Sequence, residues 1–265
     1  MAYTEKDHTW VICAYKESRY LEECVQSLLH QTSRSGIRIA TSTPNGYIAG
    51  IAERYGLEVF VNRGKAGISG DWNFALDTAE TELVTIAHQD DVYEPAYTGE
   101  MLARMNRARD AILYFTDYGE LRNGERVTKN RLLRIKRLLL VPTRMMPAWK
   151  FARRLSLAFG DPICCPSITY RKSVMKDCRF SDRFRCDLDW EMEEKLSRLK
   201  GRFVYNPMIL MYHRIHEEST TTEIIGEHQR TVEDYEMMKR FWPEAVARRL
   251  SKVYASSEKS NRVDQ

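Results

Sequence analysis

No run of eighteen consecutive apolar residues occurs in the 265-residue chain, which excludes a conventional membrane-spanning helix. The first ten residues, MAYTEKDHTW, lack the apolar block of a secretory signal, so export is not expected. Cysteine is scarce: six residues, none in a CxxC pair, which excludes a disulfide scaffold and argues against a zinc site. They read as reduced thiols of a cytoplasmic protein. The phosphate-binding signatures GxxxxGK[ST] and GxGxxG are missing, as is the GxSxG nucleophile elbow. Neither internal repeats nor low-complexity linkers are present, so one folding unit is expected. Acidic residues are absent from 126 to 160, although ten Lys and Arg residues fall there. The overall net charge is only +4, too small to mark a nucleic-acid binder. What remains is 43% hydrophobic and 29% charged, a globular profile long enough to bury a substantial core.

The first half alternates short apolar runs with helical patterns. Strands are predicted at 10–14, 37–40, 57–61, 83–87 and 111–116, and helices near 19–30, 44–55, 69–79 and 96–109. Continuous apolar runs such as Trp10-Val11-Ile12-Cys13-Ala14 suit parallel strands covered on both faces. The pattern predicts a doubly wound α/β sheet. The second half predicts a helix at 190–199, extended segments at 203–205 and 209–215, and one polar helix over about 223–250.

Three constellations carry chemistry. Asp90-Asp91 follows the fourth strand, at the carboxyl edge where open α/β sheets bind ligands. Adjacent carboxylates there suit a hard cation on a phosphate, or alternatively cap the next helix. Asp187-Leu188-Asp189-Trp190 offers a general base beside a second carboxylate, or an N-cap for the helix at 190. In Tyr212-His213-Arg214-Ile215-His216, an extended backbone sets Arg214 and His216 on one face, suited to a diphosphate and a metal, or to salt bridges with Glu217 and Glu218.

In this order the residues resemble glycosyltransferase family 2, with its GT-A fold, over roughly 9–222. The likeness runs through Val11–Glu17 as the base-binding motif and through Leu21, Cys24, Ser27, Leu28, Gln31 and Thr32 as the first helix. Gly67 and Asn73 precede the metal strand, Gln89-Asp90-Asp91 stands at the DxD position, and Asp189-Trp190 at the catalytic element. Tyr212 to Thr221 stands as the closing Arg-x-His-x-x-Ser segment.

The resemblance implies an α/β protein of GT-A type: a Rossmann-like central mixed sheet flanked by helices, an acceptor-side α/β second half and a C-terminal helix. It implies a nucleotide-binding half at 1–125, a basic amphipathic insertion at 126–160 and an acceptor-binding, catalytic half at 161–265. The activity implied is inverting transfer of a sugar from a nucleotide-diphospho-sugar, by default a UDP-sugar, to an acceptor hydroxyl in surface polysaccharide or glycoconjugate synthesis. Asp189, with Asp187 next in line, is the implied base. Asp91, Asp90 and His216 are the implied ligands of Mn²⁺ or Mg²⁺. Ala14, Tyr15, Glu17, Thr41, Ser42, Asn45, Gly67, Asp71, Asn73, Gln89, Asp90 and Arg214 are the implied donor contacts. Two positions depart from the family pattern: Thr41-Ser42-Thr43-Pro44-Asn45 lacks the usual Asp, and Gln89 replaces the first DxD acid. A sugar nucleotidyltransferase would need a basic Gly-rich loop after the first strand, which is missing. A non-catalytic carbohydrate- or nucleic-acid-binding protein would not require the carboxylates at Asp90, Asp91 and Asp189.

The stretch 126–155 interleaves Leu132, Leu133, Ile135, Leu138, Leu139, Leu140 and Val141 with Arg and Lys, then adds Met145, Met146, Trp149 and Phe151. It reads as a helix pair lying on the anionic inner face of the cell membrane beside a glycan or lipid-linked acceptor. The other reading is a basic face packed on the core or on a second subunit.

Overall fold

The computed structural model describes residues 2–216 and 227–258. Strand β1 (His8–Ala14) is buried almost throughout, and its side chains split by parity. Trp10, Ile12 and Ala14 enter one core layer and Val11 the other. That is the signature of a strand covered on both faces. Helices α1 (Leu21–Leu29), α2 (Gly46–Tyr55) and α4 (Tyr97–Arg107) cover the Trp10 side, while α3 (Ile68–Thr78) covers the Val11 side. Between them run β2 (Gly36–Thr41), β3 (Glu58–Val61), β4 (Leu83–His88) and the short β5 (Val92–Tyr93). The α2 helix begins just after Pro44 because Asn45 Oδ1 accepts from Ile48 N at 2.9 Å, and it ends on Gly56 with φ +63°.

The second half continues through β6 (Ala111–Arg122), β7 (Glu125–Val127), α5 (Arg131–Leu139), α6 (Val141–Met145), α7 (Lys150–Leu157), β8 (Ile168–Arg171), α8 (Leu188–Ser197), β9 (Arg202–Ile215), α9 (Glu227–Met238) and α10 (Glu244–Glu258). The nine strands form one mixed sheet in the order β3-β2-β1-β4-β8-β6-β9-β5, with β7 on β6. β8 lies antiparallel between β4 and β6. That insertion, together with the parallel β6–β9 pair, brings the far half of the chain beside the carboxyl end of β4.

Four elements differ from the sequence prediction. The helix at 223–250 is two helices, α9 and α10, because Pro243 lacks an N–H and restricts Trp242; residues 223–226 lie outside the described residues. The two extended segments at 203–205 and 209–215 are one strand, β9, whose register against β6 shifts between Asn206 and Ile209 around Pro207. β6 runs six residues beyond Thr116, since its polar residues find partners: Asp117 pairs with Arg137 at 2.5 Å and Glu120 with Arg122 at 2.8 Å. The expected basic helix pair is three helices, broken by Pro142 at the start of α6 and Pro147 before α7.

Candidate functional site

The turn after β4 supplies the densest chemistry. One oxygen each from Asp90 and Asp91 and one ring nitrogen of His88 lie within 4.8 Å of one another. Asp91 is fully buried. Its Oδ1 accepts from the backbone N of Arg214 at 2.9 Å and from His213 Nδ1 at 3.0 Å. Its Oδ2 and His88 Nε2 are buried and have no hydrogen-bond partner among the described residues. His88 Nδ1 lies 3.8 Å from that oxygen, and an unpartnered buried carboxylate oxygen facing an imidazole fits a bound cation. The oxygen-and-imidazole donor set suits Mn²⁺, while Mg²⁺ favours oxygen alone. His88 is held in place by stacking on Trp72, centroids 5.2 Å apart.

β9 closes this turn from the other side. His216 Nε2 donates to Asp90 Oδ2 at 2.9 Å and Arg214 Nε to the Asp90 carbonyl at 2.8 Å. Arg214 and His216 therefore do share a face. Arg214 Nη2 also reaches Glu23 at 2.5 Å, and the guanidinium lies 4.2 Å from the centre of the Tyr20 ring. It braces the Asp90-Asp91 turn against α1. Burial opposes ionisation of Asp90, but the hydrogen bond from His216 and the charges of His88 and His213 hold its carboxyl below the usual range. Burial likewise disfavours a charged His213, yet the Asp91 carboxylate outweighs it and raises the ring to about 9. His216, expected as a ligand, has one ring nitrogen committed to Asp90. The geometry also groups His88 with the two aspartates, and His216 keeps a buried Nδ1 with no hydrogen-bond partner among the described residues. Glu217 to Thr222, including the closing Ser219, lie outside the described residues.

The expected donor contacts gather around the ends of β1 and β2. Gln89 clamps the end of β1: its Oε1 accepts from Tyr15 N and its Nε2 donates to Tyr15 O, both at 3.0 Å. Ala14 is buried, whereas Tyr15 and Glu17 are exposed. After β2, Lys16 N donates to Thr43 Oγ1 at 2.6 Å and Thr43 N to Thr41 Oγ1 at 3.0 Å. Ser42 Oγ donates to Asp71 Oδ2 and Asn62 Nδ2 to Asp71 Oδ1, each at 2.8 Å. Gly67 opens α3 at φ +105°, ψ 165°. Asn45 is the α2 cap, and Asn73 is tied through its amide to both the N and O of Phe180. Gln89, Asn45 and Asn73 thus shape the loops that border the site.

A second acidic group surrounds the start of α8. Asp187 is buried at the N-cap position, but its side chain makes no capping bond. The loop before it is held by Glu233, which accepts from the backbone N of Arg185, Cys186 and Asp187. Asp189 Oδ1 accepts from Trp190 N at 2.9 Å, and Trp190 Nε1 is anchored on the Leu157 carbonyl at 3.1 Å. Burial raises the Asp189 carboxyl, though the Trp190 amide, Arg230 and Lys136 oppose it. Burial and the charge of Asp189 push Asp161 up to about 7. Asp187 and Glu193 are raised as well, by burial first and then by neighbouring carboxylates. Lys136 reaches in from α5, 5.4 Å from the centre of the Tyr118 ring, and its charge acts on Asp161, Asp189 and Glu193. The buried thiol of Cys164 feels both Asp91 and Asp189, so the two carboxylate groups share one electrostatic neighbourhood.

His88, His213, Lys136, Asp161 and Glu193 are the site residues that sequence reasoning missed. His88 carried a signal: it is the last residue of the metal strand and adjoins the aspartates. Glu193 carried none, because its position in α8 reads as a solvated helix face.

The family model described as Glycosyl transferase family 2 matches residues 9–179. No curated protein sequence matches the chain. Among solved structures, mannosyltransferase PcManGT from Pyrobaculum calidifontis, in complex with GDP-Man and Mn²⁺, superposes with a TM-score of 0.66 at 12% identity, over 99% of this chain and 77% of that one. S. aureus TarS 1-349 in complex with UDP-GlcNAc gives 0.64 at 16% identity, over 92% and 70%. Glucosyl-3-phosphoglycerate synthase from Mycobacterium tuberculosis, with Mg²⁺ and UDP, gives 0.56 at 12% identity, over 89% and 79%.

Proposed function

The chain belongs to glycosyl transferase family 2 and has the GT-A fold, and from that premise we propose that it transfers a sugar from a nucleoside-diphosphate donor to an acceptor hydroxyl with inversion. The observation that carries the reading is the pairing of two unlike carboxylate groups: Asp90 and Asp91 with His88 on one side, and the half-buried Asp189 on the other. The first suits a diphosphate with its cation, the second a proton acceptor.

Asp91, Asp90 and His88 would hold Mn²⁺ or Mg²⁺, which when bound neutralises the diphosphate. Residues 1–125 form the donor side. Tyr15, Glu17, Thr41, Ser42 and Asp71 border the nucleoside, with Ala14 and Gly67 giving close backbone approach, and UDP is the default nucleotide. Arg214 directs its remaining N–H groups to the diphosphate. Residues 161–265 form the acceptor side. There the Asp189 carboxylate takes the proton from the acceptor hydroxyl as its oxygen bonds to the anomeric carbon. The bond from that carbon to the diphosphate oxygen breaks on the opposite face, and its electron pair leaves with the nucleotide. Burial makes Asp189 a stronger base than an exposed carboxylate, which aids this step. A cell-surface glycan or glycoconjugate is the acceptor class we favour.

The test is turnover of a panel of UDP- and GDP-sugars with Mn²⁺ present or chelated, with the anomeric configuration of the product read by NMR. Metal-dependent nucleotide release with an inverted product supports the proposal. A retained product, or no release from any nucleotide sugar, overturns it.

A further inference from the structure

Thirteen large hydrophobic side chains are exposed among the described residues, and eight of them fall between Ile135 and Phe159. Leu138 is 70% exposed, Met145 74%, Trp149 64% and Phe151 70%. Leaving such side chains in water forgoes the free energy that their burial would supply. A concentration of this kind marks a surface that meets something apolar.

The structure sorts the ten cations of this stretch into two sets. Arg137 is spent on Asp117, Arg154 on Glu194 and Arg126 on Glu94. Arg153 is buried against the carbonyls of Ser197 and Leu199, and Lys136 turns toward Tyr118 and Asp161. Lys129, Arg131, Arg134, Arg144 and Lys150 are exposed and in no ion pair among the described residues. The outward face is therefore apolar and cationic together.

A cavity of about 220 Å³ opens beside it, walled by Arg104, Arg107, Arg144 and Arg202 with Thr143 and Tyr205. Arg104 and Arg202 pair with Glu100 and Asp110, whereas Arg107 and Arg144 have no ion pair among the described residues. Arg144 and Thr143 come from the segment that exposes Val141, Met145 and Met146. Guanidinium groups converging on a cavity match the oxygens of a phosphate.

We propose that residues 129–159 dock the protein on a bilayer of anionic phospholipid. The apolar side chains of α5, α6 and α7 enter the acyl boundary, the five exposed cations face the charged surface, and the arginine cavity takes a headgroup phosphate. The sign of the charge selects this occupant, since no acid in the stretch would pair a second copy of the same face. Each cation near an anionic surface adds to the attraction, which salt screens.

Co-sedimentation of the full chain with vesicles of phosphatidylglycerol and phosphatidylcholine, against pure phosphatidylcholine, tests this. Binding should need the anionic lipid and weaken at high salt. A Leu138→Ser, Trp149→Ser, Phe151→Ser triple variant should bind at least tenfold more weakly with an unchanged melting temperature, because these side chains are already exposed. Arg107→Glu with Arg144→Glu should weaken vesicle binding too. Absence of anionic-vesicle binding at low salt overturns the proposal, as does a dimer in light scattering that the triple variant dissociates while vesicles go unbound. If the arginine pair alters stabilisation by inorganic phosphate but leaves vesicle binding intact, the cavity serves a soluble phosphate and the headgroup assignment falls.

Discussion

At Asp91 two oxygens of one side chain do different work. Oδ1 holds β9 in place through Arg214 N and His213, while Oδ2 is buried with no hydrogen-bond partner among the described residues. Asp91→Asn keeps an acceptor and removes the charge. It should weaken Mn²⁺-dependent UDP binding at least 100-fold in calorimetric titration, with little change in melting temperature. Asp91→Ala should lose the same binding and a further 1–3 kcal/mol of stability, roughly, because a buried N–H and ring are left without their acceptor. Asp189→Asn makes the complementary case: turnover should fall on the order of 10²–10⁴-fold while UDP affinity holds. Weakened UDP binding with normal turnover would instead pass the role of base to Asp187. Asp161 has a pH signature. Its folded-state pKa of about 7 stands above the ordinary value of 3.8, so its contribution to stability is complete below about pH 4 and is lost as pH rises through 7. Asp161→Asn, which cannot ionise, should therefore gain on the wild type at pH 8 by on the order of 1 kcal/mol or more, and not at pH 4; each pKa unit corresponds to about 1.4 kcal/mol. Denaturant melts at the two pH values decide it, and an equal effect at both would remove Asp161 from the coupled carboxylates.

Elements of the first half were legible because each repeats one rule: an apolar strand, a turn residue, an amphipathic helix. Trp10 to Ala14 and Leu83 to Ala87 could hardly read otherwise. β8 was not legible, since Ile168-Thr169-Tyr170-Arg171 is only four residues, too short for its alternation to stand out, and its place between β4 and β6 comes from pairing at long range. α8 misled for a different reason. It buries eight of its ten residues, including Glu191, Glu193 and Glu194, which composition assigns to solvent. Two of those acids are matched by Lys195 and Arg198 one turn along and by Arg154 and Arg240, cations that sequence distance hides. α5 was half legible: its basic and apolar pattern is plain, but only the structure shows Lys136 and Arg137 turned inward and Leu138 turned out. Element geometry also makes a prediction at the start of α3. Gly67 adopts φ +105°, where a side chain is strained, although a Cβ there would meet nothing within 4 Å. Gly67→Ala should therefore cost about 1–3 kcal/mol through the backbone alone, read as a lower urea midpoint with an unchanged slope. A cost near zero would mean that the turn relaxes freely and does not set the Asp71 loop.

Across the whole molecule, the sheet order explains why chemistry from distant parts of the sequence meets. β4 delivers His88, Asp90 and Asp91; β9, some 120 residues later, delivers His213 to the same aspartate; and α8, reached through β8, carries Asp189, whose charge acts with that of Asp91 on the buried Cys164 between them in sequence. A molecule assembled this way should couple its ligands globally. A diphosphate brings negative charge to a turn that already holds two carboxylates, so UDP without a cation should bind poorly, and Mn²⁺ alone lacks the phosphate oxygens that complete its shell. Together they should stabilise the fold by mass action, about 2.7 kcal/mol at a hundredfold excess over the dissociation constant. For a chain of this size that corresponds to a rise of roughly 5–10 °C in melting temperature. UDP or Mn²⁺ alone should give a small part of the rise, and a chelator should abolish the joint effect. His88→Ala and Asp91→Asn should both lose it, whereas Asp189→Asn should keep it, because the base takes no part in holding the donor. Equal stabilisation by UDP with and without chelator would show that the donor is held by the protein alone, and His88, Asp90 and Asp91 would then need another role.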